Sequence, residues 1–152
     1  MEITQQTKLS FFGVDIVNFN FSTSTPYDGK ALINLSISPQ IFFLKDSPGS
    51  FKVIFTIDLK ADKYFKIGMV AIGSFKIEGE ITEPMKKSFL NTNAPAIMFP
   101  YVRSFITLFT TNTGTSTTPI ILPPHFFNGD IPILTEEEIY KTNTGESKIG
   151  GQ

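Results

Sequence analysis

Asn93-Ala94-Pro95-Ala96-Ile97-Met98-Phe99-Pro100-Tyr101-Val102-Arg103-Ser104-Phe105-Ile106 is the stretch on which the fold turns. The pairs Ile97/Met98, Tyr101/Val102 and Phe105/Ile106, with Phe109 beyond them, recur at three-to-four spacing, the period of a helix with an apolar stripe. Asn93 followed by Pro95 reads as a helix start. Pro100 would then sit inside the helix, where it removes a hydrogen bond and costs about 3 kcal/mol or more. Either the helix begins nearer Pro100 or it is kinked there. Between Ser88 and Gly129 the one formal charge is Arg103. Such a run is either buried or built to touch something apolar.

Upstream, the period is two. Ala31, Ile33, Leu35 and Ile37 alternate with mostly polar neighbours, as do Phe51, Val53, Phe55, Ile57 and Leu59, and then Phe65, Ile67, Met69, Ala71, Gly73, Phe75 and Ile77. This is the signature of strands with one buried face. An earlier strand over about residues 11–22 puts Val17, Phe19 and Phe21 on one face and Asn18 and Asn20 on the other, with Val14 and Ile16 on the second face. Turn residues separate the runs at 26–29, 45–49 and 61–63. Short connections imply antiparallel neighbours, so the expectation is a four-stranded antiparallel meander.

Residues 110–118 form a Thr/Gly/Asn loop that ends the helix. Ile120, Ile121 and Leu122, followed by Pro123, Pro124, His125, Phe126 and Phe127, suit neither a helix interior nor a central strand. They read as an extended crossover on the surface. A short second helix follows, interrupted by Gly129 and Pro132, with helical turns at 136–141. The expected organisation is one domain over 1–141 and a flexible tail over 142–152. The fold class is α+β: four antiparallel strands, a long helix, an extended crossover loop and a short second helix.

Composition narrows the functional classes. A formal net charge of -1 argues against phosphate-backbone binding and favours self-association. With no cysteine, Cys nucleophiles, disulfides and Cys-ligated metals are excluded. The N-terminus shows no basic region followed by an apolar core, so no signal peptide is expected. The most apolar window, 94–109, is interrupted by prolines and Arg103, and no membrane insertion is expected. Lone His125, the Glu136-Glu137-Glu138 cluster and the glycines of the fourth strand form no acid–base, metal or phosphate motif. Neither an enzyme nor a cofactor is expected. Arg103 is expected to pair with a carboxylate or to reach solvent past its apolar neighbours.

Phe99-Pro100-Tyr101-Val102-Arg103, preceded by Ala94-Pro95-Ala96-Ile97-Met98, resembles the first-helix signature of the SecB export-chaperone family. Ile120-Ile121-Leu122-Pro123-Pro124-His125-Phe126 resembles that family's Leu-Pro crossover. Ile72-Gly73-Ser74-Phe75-Lys76-Ile77 resembles its last strand. The resemblance covers about residues 10–135. It implies an ATP-independent, cytoplasmic holdase that keeps unfolded polypeptide clients in apolar grooves and passes them to the motor SecA. It also implies a homotetramer, a dimer of dimers, built on first strands and first helices.

The expected groove walls are Phe42, Phe43, Leu44, Ile120, Ile121, Leu122, Phe126 and Phe127. The expected assembly face is Val17, Phe19, Phe21, Met98, Tyr101, Val102, Phe105, Ile106 and Phe109. One departure bears on SecA. Members that dock on it carry carboxylates in the first and fourth strands, whereas 18–22 and 66–69 carry none here, and Lys66 has the opposite sign. The alternative is an oligomeric adaptor or a chaperone dedicated to a single client, such as an antitoxin.

Overall fold

A computed structural model describes residues 7–124 and 129–135. The elements are β1 (Lys8–Thr23), β2 (Asn34–Phe43), β3 (Ser50–Ala61), β4 (Phe65–Glu78), α1 (Glu83–Ser88), a π-helical turn (Phe89–Asn93), α2 (Ala94–Thr111) and β5 (Ile133–Leu134). The expected helical turns at 136–141 and the tail lie outside the described residues.

Among the described residues the sheet has five strands, not four, in the order β1-β4-β3-β2-β5. β2, β3 and β4 follow one another through tight turns, as the short connections required. β1, however, pairs antiparallel with β4 rather than with β2, so the sheet is no meander. Residues 24–33 are long enough to pass round the end of the β3–β4 hairpin, giving Greek-key order. The passage is latched there. Ser24 N–H donates to Tyr64 O at 2.8 Å, and Thr25 Oγ1 donates to Lys63 O at 3.0 Å. The Tyr27 ring packs edge-on against Tyr64 and Phe65.

β5 replaces the expected start of a second helix. Ile133 and Leu134 pair in parallel with Ile41 and Phe42, because Pro132 cannot donate within a helix but its carbonyl accepts from Ile41 N–H at 2.8 Å. β2 also runs further than its alternation suggested, through Pro39. Leu44 N–H points to β3 and Ile41 N–H points to β5. By parity, the nitrogen of Pro39 faces the β5 edge, where no β3 ladder bond is lost.

β3 and β4 alternate as expected, with Phe51, Val53, Phe55, Ile57, Phe65, Ile67, Met69 and Phe75 buried on the inner face. β1 differs. Register shifts lie between Phe11 and Val14 and between Ile16 and Asn18. Each bulge reverses the alternation. Leu9, Phe11, Val14, Ile16, Phe19 and Phe21 therefore all pack against the one core, and no second apolar face is needed. Gly13 takes φ +115° in the first bulge, a conformation that disfavours side chains. Phe12 and Val17 are pushed outward, 67% and 57% exposed.

The helix begins earlier than Asn93. Thr82 caps α1 by accepting from Met85 N–H at 3.3 Å, and Pro84 occupies the first turn. Asn93 is itself helical and accepts from Ser88 Oγ instead of capping. The π turn widens the helix immediately before Pro95, with Ala94 N–H reaching Phe89 O. A wider turn gives the ring of Pro95 room it lacks against an α-helical carbonyl. Pro100 lies within α2.

α2 crosses the inner face over β1 and β4. Met98, Val102 and Ile106 are fully buried. Phe105 and Phe109 interlock edge-on with Phe19, at centroid distances of 5.3 and 4.6 Å. The close approach falls at Gly73, where an added Cβ would stand 2.8 Å from Met98 Sδ.

Candidate functional site

The crossover is held to α2 by the helix's own polar side chains. Thr107 Oγ1 donates to Ile120 O at 2.8 Å, and Thr110 Oγ1 accepts from Ile120 N–H at 2.8 Å. Arg103 Nε donates to Leu122 O at 2.9 Å. Arg103 thus braces the crossover backbone rather than pairing with a carboxylate. These bonds satisfy main-chain groups that burial would otherwise leave unpaired. They also fix which crossover side chains turn inward. Ile120 and Leu122 are 8% and 2% exposed, whereas Ile121 is 74% exposed.

The expected groove wall is therefore divided. Ile120 and Leu122 are core residues. Phe42 and Phe43 point to opposite faces of β2, because adjacent strand residues alternate. Phe43 packs on Phe51 on the inner face, with Lys86 Nζ 5.1 Å from its ring centroid. Phe42 belongs to the outer face, beside Lys52 and Leu134 in register. Leu44 follows β2 and is half-buried. Phe126 and Phe127 lie outside the described residues.

The expected assembly face is divided as well. Met98, Val102 and Ile106 are core, directed at the chain's own sheet. Phe19, Phe21, Phe105 and Phe109 are half-buried against one another. Tyr101 remains 54% exposed, and its ring also touches Phe11 at 5.5 Å. Ile97 and Leu108, which the expected assembly face did not include, join it on the exposed side of α2. Val17 is exposed on its bulge.

A concavity of about 520 Å³ opens between α1, the π turn and the segment returning to β5. Its apolar lining is Pro84, Leu90, Ile131 and Ile133, and its rim carries Glu83, Lys86, Lys87 and Asp130. Leu90 and Ile131 are 4% exposed and form a firm floor, while Ile133 stands 56% exposed. Asn91 Oδ1 accepts from Ile131 N–H at 2.7 Å, and Lys87 pairs with Asp130 at 3.4 Å. The site lies beside Phe43, where, among the described residues, β5 covers only two residues of the β2 edge. An apolar hollow next to an open strand edge can seat an extended chain through alternate side chains and main-chain bonds.

Sequence reasoning missed Leu90, Ile131 and Ile133. Thr82-Glu83-Pro84 was the available signal for the earlier helix start. The inward turn of Ile131 had no local signal.

No family model matches this chain. The uncharacterized protein MJ0357 of Methanocaldococcus jannaschii is 30% identical over 142 residues, covering 90% of this chain and 88% of that protein. The chain belongs to the MJ0357 family. Among solved structures, the Mycobacterium tuberculosis Rv1957 SecB-like chaperone, in complex with a ChAD peptide from the Rv1956 HigA1 antitoxin, superposes with a TM-score of 0.62. It covers 78% of this chain and 88% of that chain at 15% identity. The fold is SecB-like. Among the described residues, no helix is long and apolar enough to cross a membrane.

Proposed function

We propose that this protein is a non-enzymatic, nucleotide-independent polypeptide-binding chaperone that holds an extended apolar segment of one dedicated client. The observation that carries the reading is the hollow floored by Leu90 and Ile131, placed against a β2–β5 edge that is open among the described residues. The SecB-like fold of Rv1957, a chaperone bound to an antitoxin peptide, supports a client of that peptide kind. The reading places the protein in the cytoplasm as a homotetramer. The exposed α2 stripe of Ile97, Tyr101 and Leu108 supports association.

A general export holdase that delivers clients to SecA is the second reading, favoured by the sequence resemblance alone. The first and fourth strands offer SecA no acidic patch at 18–22 and 66–69. The two readings separate in one experiment. Purified protein, without nucleotide, is mixed with a denatured export precursor and, separately, with a panel of extended apolar peptides. Saturable binding of a narrow peptide set without broad suppression of precursor aggregation fits the dedicated chaperone. Broad suppression fits the general holdase. Neither effect from an intact oligomer sinks both and leaves the adaptor.

A further inference from the structure

The outer face of the sheet is apolar at its centre, yet none of its strand residues is buried. Ile54 and Ile72 are direct cross-strand partners, with Val70 in the next row and Phe42 toward the β2 edge. At the opposite edge the first bulge lifts Phe12 into solvent, 67% exposed. Bulges protect an edge strand from pairing, but protection does not require an exposed Phe. With Leu134 in register beside Phe42, the apolar residues reach across all five strands, about 19 Å at ~4.8 Å per strand. A helix of about thirteen residues spans that length at 1.5 Å per residue.

The charge beside the belt is uneven: Asp15 stands opposite Ile72, whereas lysines gather on the side of Phe12 and Phe42. Lys52 and Lys76 are diagonal neighbours on β3 and β4, and Lys52 Nζ donates to Ser74 Oγ at 2.8 Å. Further along, Lys60 and Lys66 stand directly opposite each other, an arrangement that costs stability unless countercharge is near. Lys60 pairs with Asp62 at 3.2 Å. Lys66 and Lys76 have no ion pair among the described residues. Asp15, Asp58 and Glu78 share the face, so it is mixed but richer in lysine, in a chain of formal net charge -1.

We propose that this face docks an acidic amphipathic helix of a partner protein, its apolar stripe on the belt and its carboxylates over Lys52 and Lys76. Two other occupants fit less well. A second copy meeting the same face would set lysine against lysine across a two-fold axis. Nucleic acid requires a continuous basic stripe, which Asp15 and Asp58 interrupt. The surface lies on the opposite side of the sheet from the client hollow and does not depend on the client reading.

The test uses the full chain and two labelled synthetic helical peptides of the same apolar stripe, one with Glu flanks and one with Lys flanks, read by fluorescence anisotropy. The Glu peptide is expected to bind at least tenfold more tightly and to weaken several-fold as salt rises from about 0.05 to 0.3 M, where screening is strong. Lys76→Glu and Phe12→Ser should each cut that affinity at least fivefold, while Lys66→Glu, farther from the belt, should cut it less. Circular dichroism confirms that each variant is folded. Equal binding of both peptides, or affinity unchanged in folded Lys76→Glu and Phe12→Ser, overturns the proposal. Displacement of the Glu peptide by an apolar client peptide, or tighter binding of duplex DNA than of the Glu peptide, overturns it too.

Discussion

Asn91 and Ile131, forty residues apart in sequence, are joined by a 2.7 Å hydrogen bond from the Ile131 main-chain N–H to Asn91 Oδ1. The bond ties the π turn to the segment that becomes β5, and so sets the width of the hollow between them. Asn91→Ala leaves a part-buried donor without its acceptor, which costs about 1–3 kcal/mol. A thermal melt should show that loss together with weaker peptide binding. Lys87→Ala removes only the exposed Lys87–Asp130 pair and should change stability by less than about 1 kcal/mol. Equal effects from the two variants would refute the role given to Asn91.

Ile133→Ser should separate client capture from folding. Ile133 is exposed, so the fold should hold to within about 0.5 kcal/mol. Losing its contact with an apolar client side chain should weaken binding by about 1–2 kcal/mol, roughly tenfold. Leu122→Ala, in the buried core, should instead cost about 2–5 kcal/mol of stability. Peptide titration and chemical denaturation run in parallel distinguish the two effects.

Gly73→Ala probes the seat of α2 on β4. The new Cβ would lie 2.8 Å from Met98 Sδ and 2.9 Å from Phe75 Cε2, with both side chains enclosed by the core. Displacing them should cost about 1–3 kcal/mol. Gly73→Ala with Met98→Leu in one chain should recover part of that loss, because the two sites are in contact. Strict additivity of the two changes would argue against the contact as its cause.

The loop latch gives a defined pH response. Main-chain N–H groups of Ala31 and Lys30, aided by the Tyr64 hydroxyl, hold the Asp28 carboxyl below its ordinary value of 3.8. Its contribution is therefore complete above the unfolded value and is lost as pH falls through the lower folded one. Tyr64 is shifted upward from 10.0, first by its bond to Asp28. Its contribution is complete below 10.0 and is lost as pH rises through the folded value. Asp28→Asn should flatten the acid limb of a stability–pH curve. An acid limb identical to the parent's would remove Asp28 from that account.

Leu108→Ser tests the α2 stripe. Leu108 is 66% exposed, so the chain should stay folded while the oligomer shifts toward smaller species in light scattering at micromolar concentration. Unchanged mass would exclude this side of α2 from the contact.

Much of the architecture is legible locally. The alternation in β3 and β4, the two hairpin turns and the apolar period from Ile97 to Phe109 each follow from neighbours a few residues apart. Burial in β1 was harder to read, since Val14 and Ile16 keep one parity and Phe19 and Phe21 the other. Two bulges reconcile them, and a bulge is fixed by pairing with β4. The candidate site was less legible still. Phe42, Phe43, Ile120 and Leu122 are apolar in sequence whichever way they turn. Their direction depends on strand alternation and on the bonds from Arg103, Thr107 and Thr110 to the crossover.

By itself, then, the sequence determined the first four strands, the apolar helix and the SecB-like resemblance, because period and turn chemistry are properties of short segments. Tertiary structure alone decided that β1 lies beside β4, that Ile133 and Leu134 extend the sheet, and that Leu90 and Ile131 floor a hollow. Those choices depend on hydrogen bonds and packing between residues as far apart as Asn91 and Ile131, for which no local pattern carries a signal.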